Sequence, residues 1–320
     1  MLYPLKFQPI LKDKIWGGEK LNQYFNKVSD SKNLGESWEI STVPNDVSVV
    51  ANGELKGKSL QELVNDYKSN LLGDKNWKRF GNKFPLLIKF IDAKQDLSIQ
   101  LHPNDELAKK RHNSFGKTEM WYVMQADNDA NLIVGFKGEV DKATYLKHLE
   151  NNTLTEILNF DNVKEGDTYF IEAGRLHAIG AGVLLAEIQQ TSDVTYRVYD
   201  WDRVDDNGNE RDLHNDIAID AFDFEMKNDF RIDYPKQKNV SNEMVSCPFF
   251  TTNFIDITSE IKIENTHDSF LIYMCVDGDV EVSTKDSIEH ISKGETILIP
   301  AEIKNFALKS VFGKLLEVYV

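Results

Sequence analysis

Side chains that ligate metals or move protons recur in this chain where strand geometry would aim them together. In DLSIQLH (96–102) the pleat sends Leu97, Ile99 and Leu101 to one face and Ser98, Gln100 and His102 to the other. Gln100 and His102 thus share a face, two residues apart. Glu119 opens the apolar segment EMWYVMQA (119–126), and His177 lies in EAGRLHAIGAG, a glycine-flanked turn. Taken singly, these read as a polar strand face, a surface carboxylate and a packing histidine. Lys89 in PLLIKFI and Glu187 in VLLAEIQQ are charges inside apolar strands, where an unpaired charge is costly. Arg197 lies on DVTYRVYD, where alternation groups it with Thr195 and Tyr199, and Lys117 precedes Glu119 by two residues. The remaining histidines, His112, His148, His214, His267 and His290, lie on helical or polar stretches without partners at metal-ligand spacing and take no role.

The elements that must position these groups are mostly short strands. FPLLIKFI (84–91), 96–102, 119–126, NLIVGF (131–136), TYFIEA (168–173), VLLAEIQQ (183–190) and DVTYRVYD (193–200) are rich in β-branched and aromatic residues. Helices intervene without alternating. The clearest spans 59–73, with Ser59 and Glu62 as a capping box and Gly73 at its end. Others are expected at 140–150, at 153–159 (Thr153 and Glu156 as a second box) and within 212–222. Runs of strands with clustered helices point to an antiparallel sandwich and away from βαβ winding. A polar linker follows at 231–240, then strands at 249–257, 270–276, 279–283, 295–300 and 315–320, with Asp277-Gly278 as a hairpin turn.

The second part echoes the first. EMWYVMQAD (119–127) resembles SFLIYMCVD (269–277), and GDTYFIEAGRLH (166–177) resembles GETILIPAEIKN (294–305). This sets Ser269 against Glu119 and Asn305 against His177, so only the first copy keeps ligand chemistry. The fold class is therefore mainly β: two jelly-roll β-sandwiches, residues 1–235 with short helical insertions and residues 236–320 without metal ligands.

Composition removes whole classes of function. Lys+Arg is 37 against Asp+Glu 52, a net charge of −15, so a basic footprint for nucleic acid or anionic membranes is lacking. Two cysteines, Cys247 and Cys275, make no disulfide framework. No signal peptide is read at the N-terminus, and no apolar run reaches the ~18–20 residues of a membrane span. The expected compartment is reducing and aqueous, the cytoplasm, and the expected partner is a small molecule.

The stretch from Gly166 to His177 resembles the second motif of the cupin superfamily, with Gly166, Gly174 and His177 matching and Glu172 in place of its proline. In that superfamily an earlier motif supplies a His and a Glu from adjacent strands, for which His102 and Glu119 are the candidates. Two imidazoles, a carboxylate and the Gln100 amide oxygen leave room for water or substrate, compatible with catalytic zinc. The same 2-His-1-carboxylate set suits non-haem Fe(II), so residue types do not choose the metal. An Fe(II) oxygenase would carry no phosphate-binding cations; a sugar-binding cupin without turnover would have a broken metal set.

PLLIKFIDAKQDLSIQLHPND, GKTEMWYV, GRLHAIG and AEIQQTSDVTYRVYDWDR, in that order, resemble type I mannose-6-phosphate isomerases in their short bacterial form, and KIWGG and GESWEIS agree. The resemblance spans essentially the full chain. It implies paired cupin sandwiches, one zinc per chain on Gln100, His102, Glu119 and His177, and interconversion of mannose 6-phosphate and fructose 6-phosphate through a cis-enediol. Longer members follow their SDN stretch with VVRAG where this chain has SDVTYRVYD; Arg197 is then the counterpart of the catalytic arginine. Lys89, Lys117 and Glu187 are the candidates for substrate contact, since a dianionic sugar phosphate calls for a basic pocket inside an acidic protein.

Overall fold

The computed structural model describes residues 1–205, 207–227 and 229–320. Strand accounts for 40% and helix for 16%, so the chain is mainly β as expected. A six-stranded sheet runs in the order Ile10–Gly18, Leu34–Ile40, Leu86–Ala93, Val183–Gln190, Glu119–Ala126, Thr168–Ile171. It faces a five-stranded sheet ordered Tyr196–Tyr199, Ile99–Leu101, His177–Ile179, Asn131–Phe136, Leu158–Asn162. Thr42–Val43 and Asp46–Val47 pair as a small hairpin, and the strands from Asn242 onward form a second sandwich. In it Asn242–Ser246, Thr251–Ile257, Gly313–Tyr319, Leu271–Ser283 and Thr296–Ile299 repeat the order of the last five strands of the first sheet. Pairings between these strands are antiparallel throughout.

The repeat is therefore topological, with one correction to its alignment. Glu119 pairs with Ile171, and the counterpart of Ile171, Ile299, pairs with Leu271. Leu271, not Ser269, stands where Glu119 does, a shift of two residues that preserves face. Ser269 is buried instead as acceptor for Asn76 Nδ2 at 3.0 Å. A second correction concerns Asp277-Gly278. Strand Leu271–Ser283 runs on through it, passing from one sheet to the other at a register shift, with Gly278 at φ 70°. The dipeptide bends one strand where the first sandwich breaks the equivalent strand between Ala126 and Asn131.

Helical expectations held in part. Ser59 and Glu62 form both bonds of the capping box. Lys68, at φ 47°, then splits the stretch into Leu60–Tyr67 and Ser69–Leu72. The segment Lys142–Glu150 is helical, capped by the Asp141 side chain on Thr144 N–H. The expected helix at 153–159 is a single tight turn, Leu154–Ile157, leading into strand Leu158–Asn162. Thr153 caps nothing there, because its hydroxyl pairs with His148 Nδ1 at 2.9 Å. Only Asn215–Ala218 is helical within 212–222, and Lys20–Phe25, Asp74–Phe80 and Asp105–His112 are helices the sequence reading missed. The stretch 231–240 holds no regular element, yet Ile232 and Tyr234 are tied to the first sandwich through Thr168 O and Gly166 O. No helix among the described residues is long and apolar enough to cross a membrane.

The six-stranded sheet is buried on both faces, and strand alternation divides its residues cleanly. Leu86, Ile88, Phe90, Met120, Tyr122, Met124, Leu184, Ala186 and Ile188 point to a core shared with Phe254, Ile272, Met274, Leu316 and Val318 of the second sandwich. Their alternates, Lys89, Ile91, Glu119, Trp121, Val123, Leu185 and Glu187, point into the first sandwich. The second sandwich thus backs the sheet that carries half of the candidate site.

Candidate active site

Residues directly opposite on neighbouring strands share a face, so pairing fixes rows of side chains. On the five-stranded sheet Gln100 pairs with His177 on one side and with Arg197 on the other, giving the row His177, Gln100, Arg197. On the facing sheet Glu187 pairs with Trp121 and Lys89, and Lys89 with Trp38, giving Trp121, Glu187, Lys89, Trp38. Both rows line one cleft of about 140 Å³, together with Lys14, Glu36, Lys117 and Arg211.

At its floor His102, Glu119 and His177 converge; a potential ligand atom from each lies within 4.8 Å of the others. His102 Nε2 is 3.6 Å and His177 Nε2 3.5 Å from the Glu119 carboxylate. Each imidazole is pinned by its other nitrogen: His102 Nδ1 donates to the Val194 carbonyl (2.9 Å) and His177 Nδ1 to the Arg175 carbonyl (2.8 Å). Those bonds hold the proton on Nδ1 and aim the Nε2 lone pair at the carboxylate. Burial keeps both rings neutral, lowering His102 well below its usual value and His177 to about 4. Burial also raises Glu119, against the opposing pull of Lys117. The Lys117 ammonium lies 3.0 Å from Glu119 Oε2 and 3.2 Å from His102 Nε2, but neither carboxylate oxygen receives a well-directed hydrogen bond. A fully buried carboxylate with unfilled lone pairs, facing two imidazole lone pairs, fits a divalent cation. The Gln100 side chain reaches the same point, its amide nitrogen 3.5 Å from His177 Nε2 and its oxygen accepting from Ser98 Oγ at 3.3 Å.

The cleft's charges are largely matched in pairs. Lys89 and Glu187 lie 3.0 Å apart, both buried. Despite burial, Lys89 and a bond from Trp121 Nε1 hold Glu187 well below the usual carboxylate range. Lys14 pairs with Glu36 at 3.3 Å, and Arg211 with Asp200 at 2.5 Å. Arg197 differs: its guanidinium donates to neutral acceptors, Ser98 Oγ (3.3 Å) and the Asp212 carbonyl (2.8 Å).

All eight sequence-derived site residues, Lys89, Gln100, His102, Lys117, Glu119, His177, Glu187 and Arg197, come together here. Thr195 joins them, but Tyr199 does not. A register shift between Arg197 and Tyr199 turns the tyrosine away to bond Asp202 and stand beside Trp201. Sequence reading passed over Lys14, Glu36, Trp38 and Arg211. Trp38 sits in GESWEIS, which the resemblance had singled out; Arg211 belongs to the polar loop DRVDDNGNERD and carried no local signal.

Comparison with known proteins agrees with this architecture. The family model for the catalytic domain of type I phosphomannose isomerase matches residues 4–131, and that for the cupin domain of mannose-6-phosphate isomerase matches residues 241–320. A mannose-6-phosphate isomerase of Streptococcus mutans is 35% identical over 307 residues, covering 96% of this chain and 95% of the relative. The chain belongs to the type I mannose-6-phosphate isomerase family. A family member from Bacillus subtilis is 33% identical over 316 residues, covering 96% of each chain. The crystal structure of mannose 6-phosphate isomerase from Bacillus subtilis superposes with a TM-score of 0.91 at 32% identity, covering 100% of both chains. By family, the chain is a mannose-6-phosphate isomerase.

Proposed function

We propose that the enzyme interconverts mannose 6-phosphate and fructose 6-phosphate with one zinc ion per chain, moving a proton between C1 and C2 of the open-chain sugar through a cis-enediol. The observation that carries this reading is the buried His102, Glu119 and His177 cluster at the floor of a cleft lined with cations. Gln100, His102, Glu119 and His177 would hold the ion; when bound it would act as a Lewis acid toward sugar oxygens. Arg197, whose guanidinium bonds only neutral acceptors among the described residues, is suited to stabilise enediolate charge. A guanidinium stays protonated, so Arg197 is not the base. Lys117, beside Glu119, offers an ammonium to a sugar oxygen. The Lys89–Glu187 pair presents one donor and one acceptor with little net charge, which suits sugar hydroxyls better than phosphate.

The test is elemental analysis of the purified protein alongside a coupled assay for fructose 6-phosphate formation. One zinc per chain is expected in the wild type, and His102→Ala or His177→Ala should lose metal and activity together. A metal-free His177→Ala protein with full activity would sink the zinc reading.

A further inference from the structure

Arg197 lies on an outer strand of its sheet: Tyr196–Tyr199 pairs with Ile99–Leu101 on one side, and no strand among the described residues pairs with its other edge. On that open edge both backbone groups of Arg197 are taken by one residue. The Arg197 N–H donates to His214 Nδ1 at 3.1 Å, and the His214 N–H donates to the Arg197 carbonyl at 2.7 Å. Two residues earlier, the Asp212 carbonyl accepts from the guanidinium. The short segment 212–214 therefore grips Arg197 by its backbone and its head group together. It does so where the strand ladder is weakest, at the register shift between Arg197 and Tyr199.

We propose that His214 is a positioning residue for Arg197, its imidazole standing in as the missing strand neighbour through the acceptor at Nδ1. The inference rests on the reading of Arg197 as the charge-stabilising group. Only the neutral ring with its proton on Nε2 can accept from a backbone N–H; the imidazolium has two donors and no acceptor. Among the described residues, the charged and titratable groups facing the ring are Arg197 on the strand, Asp212 on its own segment, and Tyr196 and His112 beside it. Burial and the Arg197 charge lower His214 from its ordinary value, against Asp212, which keeps the acceptor form in place at neutral pH. Below that range, protonation sets donor against donor and releases the Arg197 backbone.

Four metal-replete variants test this: His214→Ala, His214→Asn, Arg197→Lys and the double Arg197→Lys/His214→Ala. Each is followed by kcat and KM across the neutral to mildly acidic range, with melting temperature and metal content. Asparagine places Oδ1 where histidine places Nδ1 and does not titrate. His214→Ala should lower kcat by roughly ten- to a hundred-fold, the scale of a misplaced group, with KM and metal content held. His214→Asn should recover most of the rate and lose the acidic fall in kcat that His214 causes in the wild type. The double variant should be no slower than Arg197→Lys alone, since His214 acts through Arg197. Wild-type kcat in His214→Ala, an Asn variant as slow as the Ala variant, or losses that multiply in the double variant would each overturn the proposal. If Arg197→Lys keeps wild-type constants, the Arg197 reading fails and this inference with it. A slow Arg197→Lys beside an unaffected His214→Ala refutes His214 alone.

Discussion

Replacing Arg197 by lysine keeps a cation at the cleft while removing the guanidinium fork. In the structure two of that fork's donors are already committed, Nε to Ser98 Oγ and Nη1 to the Asp212 carbonyl. They hold the head group in place and leave the remaining N–H groups for a substrate oxygen. Lysine has a single nitrogen on a flexible stem, so it cannot keep those anchors and also reach into the cleft. If Arg197 meets charge that develops during proton transfer, the loss is that of one well-placed donor, about 10²–10³ in kcat or about 3–4 kcal/mol of transition-state stabilisation. If it grips the ground-state phosphate alone, KM rises and kcat holds, because the binding lost is common to both states. Steady-state kinetics by the coupled assay separates the two, with zinc content and melting temperature measured on the same preparation. Wild-type values of both constants would remove Arg197 from the site and turn attention to Lys89, Lys117 and Glu187.

Two further outcomes follow from the charges around the cleft. Glu187→Gln leaves the Lys89 ammonium buried without its partner at 3.0 Å, so stability should fall by about 3 kcal/mol in denaturant unfolding, with Glu36 nearby to limit the loss. An unfolding midpoint equal to the wild type's would mean that the pair adds nothing to the fold. Asp200 supplies the acid-dependent case. Burial raises its carboxyl, but bonds from Arg211 and Arg203 outweigh that and hold it below its ordinary value. The stability it provides is complete above the unfolded value, about pH 4, and is lost as pH falls through the lower folded value. Asp200→Asn should therefore be less stable than wild type at neutral pH and lose less on acidification; parallel melting curves against pH would refute the assignment.

The parts of this site that were legible in the sequence are those governed by local geometry. Strand parity alone placed Gln100 and His102 on one face, and the structure keeps them there, though the regular strand is only Ile99–Leu101. The same parity argument failed for Tyr199, because the register shift between Arg197 and Tyr199 breaks the alternation on which parity rests. A capping box predicted the start of Leu60–Tyr67, where both of its bonds form. The equally good pattern at Thr153 and Glu156 went astray because His148, five residues away in sequence, competed for the hydroxyl. Asp277-Gly278 has the composition of a hairpin turn, and long-range pairing turned it into a bend within one strand. Arg211 and His214 reach the cleft region only because a polar loop folds back over an edge strand, and no periodicity marks such a return. Arg197 itself was found by resemblance and parity together; its bonding to segment 212–214 was invisible to both.

The two-sided burial of the six-stranded sheet gives mutations along it two separate phenotypes that alternate with period two. Glu119, Trp121, Glu187 and Lys89 face the cleft, while their chain neighbours Met120, Tyr122, Ile188 and Ile88 face the shared core. A saturation scan read by abundance should dip at Met120, Tyr122, Ile188 and Ile88, where truncation opens a cavity costing about 2–5 kcal/mol. Read by turnover per folded molecule, the same scan should dip one residue out of phase, at Glu119, Trp121, Glu187 and Lys89. Adjacent codons would then carry almost unrelated constraints, one set by chemistry and the other by the fit between two sandwiches.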